Sequence, residues 1–156
     1  MRSRAKVAPS WRAALAAAAV AVAGPASAGL GERAEAIAVD RRALQAEPGG
    51  AVAHEGYTVE RMASPGHAVR EFVSPAGVVF GVAWDGISHP DLSTLLASYE
   101  PEYRRAAAKP SPTGRRRRRV RTDHVVVETW GHMRSLHGRA YVPALVPHGV
   151  KIDAIR

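Results

Sequence analysis

"HAVREFVSPAGVVFGVAWDG", residues His67 to Gly86, decides the fold. Two short segments rich in Val, Phe and Trp flank Ser74-Pro75-Ala76-Gly77, a cluster of turn-forming residues. That pattern reads as two strands joined by a tight connection. In the second segment Val78, Phe80, Val82 and Trp84 fall on one side by simple alternation. Val79, Gly81, Ala83 and Asp85 fall on the other. A strand that is apolar on both sides belongs in the middle of a sheet. Upstream, "HEGYTVERMA" (His54 to Ala63) ends at Ser64-Pro65-Gly66 and adds a third strand. The three form an antiparallel meander.

Helical periodicity brackets the meander. "GERAEAIAVDRRALQAE" (Gly31 to Glu47) places Ala34, Ile37, Ala38, Arg41 and Leu44 on one face, and Pro48-Gly49-Gly50 stops it. A second helix opens at Ser88, with Asp91 three residues on as a capping box and Pro90 just inside. It carries a stripe of Leu92, Leu95, Leu96, Tyr99 and Tyr103, and Pro101 is expected to kink it near Ser98. "KPSPTG" and the arginines after it read as a flexible basic loop over 109–122. "HVVVETW" (His124 to Trp130) and "GHMRSLHGRAYVP" follow as a hairpin. A short edge strand closes the chain, with Val150, Ile152 and Ile155 turned inward. The fold class is therefore α+β. An antiparallel sheet, a three-stranded meander plus a C-terminal hairpin and edge strand, carries two helices packed on one face.

The segment before this domain reads differently. Arg2, Arg4, Lys6 and Arg12 precede an uninterrupted apolar run from Ala13 to Gly24, then Pro25 and the small residues Ala26-Ser27-Ala28. A charged start, a short greasy middle and a small-residue site make residues 1–28 a secretory signal peptide, cleaved after Ala28. The run is too short to span a bilayer, for which about 20 residues are needed. Residues 29–156 are expected to be one exported domain, periplasmic or extracellular, with no transmembrane segment. The leader takes four basic residues and none of the fourteen acidic ones, which halves the net charge of +8. The chain has no cysteine, which excludes disulfides, thiol nucleophiles and thiolate metal sites.

Three blocks resemble a small bacterial family of exported proteins, catalogued as domain of unknown function 2844. They are "VREFVSPAGVVFGVAWDG" (Val69 to Gly86), "PDLSTLLASY" (Pro90 to Tyr99) and "GHMRSLHGRAYVPALVPHGVKIDAIR" (Gly131 to Arg156). The resemblance implies a small exported proteobacterial protein with a signal peptide and a short first helix. The family has no established activity, so no catalytic residue carries over. Two features depart from its pattern: Pro101 inside the second helix, and the arginine-dense stretch after it.

The chemistry that the residues allow is limited. No glycine-rich phosphate loop is present and no cofactor is expected. His132 and His137 lie an odd number apart, so on one regular strand they face opposite sides; no metal site is expected. No G-x-S-x-G elbow exists, and no catalytic residue can be named, although Ser, His and Asp from distant positions can still assemble. The richest polar cluster is the hairpin with His132, Arg134, His137, Arg139 and Tyr141, where arginine forks could hold a small anion. The preferred reading is plainer: these arginines pair with Glu71, Glu128 or solvent on a sheet face.

The basic run, Arg115, Arg116, Arg117, Arg118, Arg119 and Arg121, could contact a polyanion. No aromatic residue stands between Tyr103 and Trp130, and stacking platforms are what single-strand binders interleave with their cations. Together with export, this leaves the partner open, with an anionic envelope component a better candidate than nucleic acid and a solvated loop without a partner the reading preferred to both. Nineteen arginines against three lysines also fit a GC-rich genome, in which such a run is mere loop composition. The leading expectation is a non-enzymatic binding or envelope-associated module. The alternatives are a hydrolase with a scattered Ser/His/Asp site and a polyanion binder, of lipopolysaccharide or nucleic acid, working through the arginines.

Overall fold

The computed structural model describes residues 29–109 and 117–156. The expected signal peptide, residues 1–28, lies outside them, as do Arg115 and Arg116. Seven strands form a single sheet: β1 (Glu47–His54), β2 (Tyr57–Ser64), β3 (His67–Val73), β4 (Val79–Gly86), β5 (Arg117–Arg121), β6 (Val126–His132) and β7 (Ser135–Tyr141). Their order is β1-β2-β3-β4-β7-β6-β5, and every neighbouring pair is antiparallel. The expected meander is β2-β3-β4, and β4 is central. Pro65-Gly66 makes the β2–β3 turn, where Gly66 has φ +104°, a conformation that costs glycine little.

Helix α1 (Ile37–Ala43) follows a 3₁₀ turn at Ala34–Ala36, and α2 (Leu92–Leu96) and α3 (Glu100–Ala107) follow β4. All pack on one face of the sheet. There Ile37, Leu44, Leu95 and Leu96 meet Met62, Val69, Val82, Trp84 and Val127. The Trp84 indole donates from Nε1 to His89 Nδ1 at 2.9 Å, tying the middle of the sheet to the approach to α2. Gly138, on β7 opposite Trp84, leaves the indole its room: a Cβ there would overlap the ring. Phe72, Phe80, Val126, Tyr141 and Ile155 form a second core on the other face, covered by the C-terminal segment through Val146, Val150 and Ile152. Among the described residues no helix is long and apolar enough to cross a membrane.

Several local expectations are corrected. The alternation of Val78, Phe80, Val82 and Trp84 fails because Phe80 is a β-bulge. Phe72 pairs with Gly81 and Val73 with Val79, so Phe80 is the extra residue. The bulge turns Val79, Val82 and Trp84 to the helices and Phe80 to the opposite core. Pro48-Gly49-Gly50 does not end a helix. The helix stops earlier, around Gln45 with φ +51°, and the Pro-Gly-Gly segment enters β1 with a shift in register between Pro48 and Gly50. An edge strand exposed along its whole length tolerates such residues. His54–Ala63 is accordingly not one strand, because β1 ends at His54.

Ser88 does not cap the second helix. Asp91 does, accepting from Ser93 N at 2.9 Å and Ser93 Oγ at 2.7 Å. The helix breaks at Ala97 (φ +46°) and restarts with Pro101 in the first turn of α3, where its missing N–H leaves no bond unmade. Residues 117–121 are a strand and not part of a flexible loop. Val150, Ile152 and Ile155 do point inward, but through a 3₁₀ turn at Ile152–Ala154 instead of an edge strand. The edges belong to β1 and β5, so the tail crosses the face.

Candidate functional site

The face opposite the helices is open beyond the C-terminal segment, and its β5–β7 end gathers a cluster of charged side chains. Cross-strand register sets Arg117 beside Trp130 and Arg119 beside Glu128 on β5–β6. On β6–β7 it sets Glu128 beside Arg139 and Trp130 beside His137. Side chains two apart on a strand share a face, so these residues form one continuous patch. At its centre the Glu128 carboxylate is almost fully buried. It accepts from Arg139 Nε at 2.6 Å, and Arg119 Nε approaches it at 3.3 Å. Arg139 Nη1 also donates to the carbonyl of Ile152 at 3.0 Å and lies 3.6 Å from Asp153. Glu128 thus gives the guanidinium a fixed direction, and the guanidinium pins the C-terminal segment to the sheet.

Beside this network Arg117, Trp130, Arg139, Asp153 and Arg156 line a surface cavity of about 560 Å³. Trp130 is half-buried and stacks on His137, with ring centroids 6.0 Å apart and planes 16° from parallel. His137 is further held by Ser135 Oγ at 3.2 Å from Nε2. The arrangement offers a flat aromatic wall and guanidinium groups from a strand edge, a strand interior and the tail.

The residues singled out in the hairpin divide. His137 and Arg139 belong to this patch. Tyr141 is buried in the second core, beneath the Arg139 guanidinium at 6.0 Å from its ring centre. His132 and Arg134 are exposed at the β6–β7 turn and do not line the cavity; Arg134 adopts φ +62° there. In the basic run, strand alternation splits the arginines. Arg117, Arg119 and Arg121 are exposed on the open face, whereas Arg118 turns to the helix side and donates to the carbonyl of Ala107. Trp130, Asp153 and Arg156 were not among the expected site residues. The signal for Trp130 was its parity with Glu128, which becomes informative only once β5 is known to pair with β6.

A Ser–His contact exists elsewhere. Ser64 Oγ lies 2.8 Å from His67 Nε2 across the β2–β3 turn, and His67 Nδ1 is 3.4 Å from Ser88 Oγ. Burial lowers the His67 pKa, so the ring is held neutral. Among the described residues no carboxylate orients it: Asp85 on β4 is taken by Arg70 at 2.6 Å. A cavity of about 400 Å³ between β1, β2 and β3 is walled by Gly49, Arg61, Ala63, Ala68 and Arg70 among others, and not by Ser64 or His67.

On the helix face Glu71 is fully buried, and neither of its carboxylate oxygens has a hydrogen-bond partner. Burial first, then the neighbouring charges of Asp40 on α1 and Glu60 on β2, push its pKa up to about 9. Glu71 is therefore a protonated acid at neutral pH and not the partner of a hairpin arginine. Among the described residues no three His, Asp or Glu side chains come together to hold a metal ion.

A sequence model of the family described as "Protein of unknown function (DUF2844)" matches residues 26–155. No curated protein and no solved structure matches the chain.

Proposed function

The chain belongs to the DUF2844 family, and from that premise we propose that it is an exported, non-catalytic module that binds an anionic component of the cell envelope. Export rests on residues 1–28, with their basic start, apolar run and Ala26-Ser27-Ala28 site. The observation that carries the binding reading is the outermost strand. β5 presents Arg117, Arg119 and Arg121 along one exposed side, and among the described residues neither Arg117 nor Arg121 has an ion pair. A row of cations on a sheet edge suits a surface of phosphates, each basic residue contributing about 1 kcal/mol near an anionic membrane. The same charges also keep that edge from pairing with another strand.

The test is retention on immobilised lipopolysaccharide as salt is raised. Arg119→Ser with Arg121→Ser should bring elution to distinctly lower salt; unchanged elution would reject this role for β5. Mass spectrometry of the protein from its own host tests export, which a cytoplasmic species beginning at Met1 would overturn. A hydrolase is the second reading, favoured by the 2.8 Å contact between Ser64 and His67. Against it, neither Ser64 nor His67 lines the cavity between β1, β2 and β3, and among the described residues no carboxylate is hydrogen-bonded to His67.

A further inference from the structure

We propose that the cavity between β5, β7 and the C-terminal segment binds a phosphate ester, with the phosphate between Arg117 and Arg156 and the rest of the ligand laid on the Trp130–His137 stack. This deepens the anion-binding reading and rests on it.

Among the described residues, the guanidinium groups of Arg117, Arg139 and Arg156 and the carboxylate of Asp153 line one space of about 560 Å³. That volume lies within the range of about 300–1,000 Å³ typical of small-molecule sites. The groups have different tasks. Arg139 is committed, through Nε to Glu128 and Nη1 to Ile152 O, so it is a rigid wall that also holds the segment carrying Asp153 and Arg156. Arg117 and Arg156 are exposed and have no ion pair among the described residues. Like charges facing one cavity repel, and an anion between them reverses the sign of that interaction.

Geometry favours phosphate over carboxylate. A carboxylate offers two oxygens in one plane, which a single arginine fork satisfies. A phosphate monoester offers three terminal oxygens and up to two charges, and accepts from forks that approach from different directions. Here one fork comes from a strand edge and the other from the tail. The aromatic wall indicates an ester in place of the free ion. Trp130 and His137 lie nearly parallel, and the half-buried indole is wasted on a bare phosphate but provides a stacking surface for a ring or an apolar body.

Calorimetric titration of the purified protein with phenyl phosphate, inorganic phosphate and benzoate tests the assignment. Phenyl phosphate should bind at one site, at least tenfold tighter than either of the others. Arg156→Ser should weaken phenyl phosphate at least tenfold at unchanged thermal stability. Trp130→Leu should weaken phenyl phosphate while leaving inorganic phosphate as it was. Benzoate binding as tightly as phenyl phosphate, no saturable heat, or indifference to both substitutions each overturns the proposal. If the lipopolysaccharide retention depends on Arg119 and Arg121 but phenyl phosphate does not bind, the cavity assignment fails and the envelope reading stands. Loss of both removes both. Vesicles containing phosphatidic acid, whose headgroup is itself a phosphate monoester, then distinguish the source: displacement of phenyl phosphate assigns a lipid headgroup, and no displacement assigns a soluble phosphate ester.

Discussion

Glu128 and Arg139 face each other on β6 and β7, with Nε 2.6 Å from Oε2 and the carboxylate almost entirely out of water. A buried carboxylate is tolerated only while a cation and further hydrogen bonds compensate its lost hydration. The pair also decides where the C-terminal segment lies, because the same guanidinium holds the Ile152 carbonyl. Removing one partner is therefore far more costly than removing both. Arg139→Leu should destabilise the protein by roughly 3–5 kcal/mol, and Arg139→Leu with Glu128→Leu should recover most of that. Urea denaturation of the single and double variants measures both, and a single variant that loses under 1 kcal/mol would contradict the account.

Glu71 gives the protein a built-in pH dependence. Its pKa is raised from 4.5 to about 9 in the folded state, so between those values the folded chain binds a proton that the unfolded chain has released. Stability from this group is complete below pH 4.5 and declines as pH rises towards 9. At about 1.4 kcal/mol per pKa unit the cost by pH 7.5 is on the order of a few kcal/mol. Glu71→Gln should thus be more stable than the parent at pH 7.5 and equal to it near pH 4. Melting curves across that range check the slope; parallel curves would show that Glu71 ionises alike in both states.

Gly138 is needed for the space it leaves. Gly138→Ala puts a methyl group into the ring of Trp84, which is buried and anchored to His89. Overpacking of this kind costs about 1–3 kcal/mol. The loss should appear in thermal unfolding together with a changed Trp84 environment in near-ultraviolet circular dichroism. An unchanged melting temperature would mean that the indole moves at no cost.

The Ser64–His67 contact belongs to a turn. Ser64→Ala should cost no more than about 1.5 kcal/mol, the worth of one hydrogen bond, and leave no enzymatic phenotype. Hydrolysis of p-nitrophenyl acetate with saturation kinetics in the parent, abolished in Ser64→Ala and His67→Ala, would establish the hydrolase reading instead.

The sequence by itself determined the strands from Tyr57 to Gly86, the two helical stripes, the helices on one face and the family. These follow from local signals: turn residues such as Pro65-Gly66, and apolar spacing that any window of the chain displays. Within the candidate site it singled out the hairpin residues His132, Arg134, His137, Arg139 and Tyr141, of which His137 and Arg139 lie in the charged patch. Tertiary structure alone decided the bulge at Phe80, which exchanges the sides of Val79 and Phe80 while Val82 and Trp84 keep theirs. It also decided that a run of arginines would be an edge strand. Pairing register is a property of two strands, and neither carries it alone. A run such as Arg117–Arg121 reads as solvated charge until Glu128 is set opposite Arg119 and Trp130 opposite Arg117. Glu71 and Glu128 look alike on paper, yet one is neutral without a partner and the other is held by Arg139. The difference arises because burial and the nearest charge set a carboxylate's state, and both are fixed only when distant segments meet.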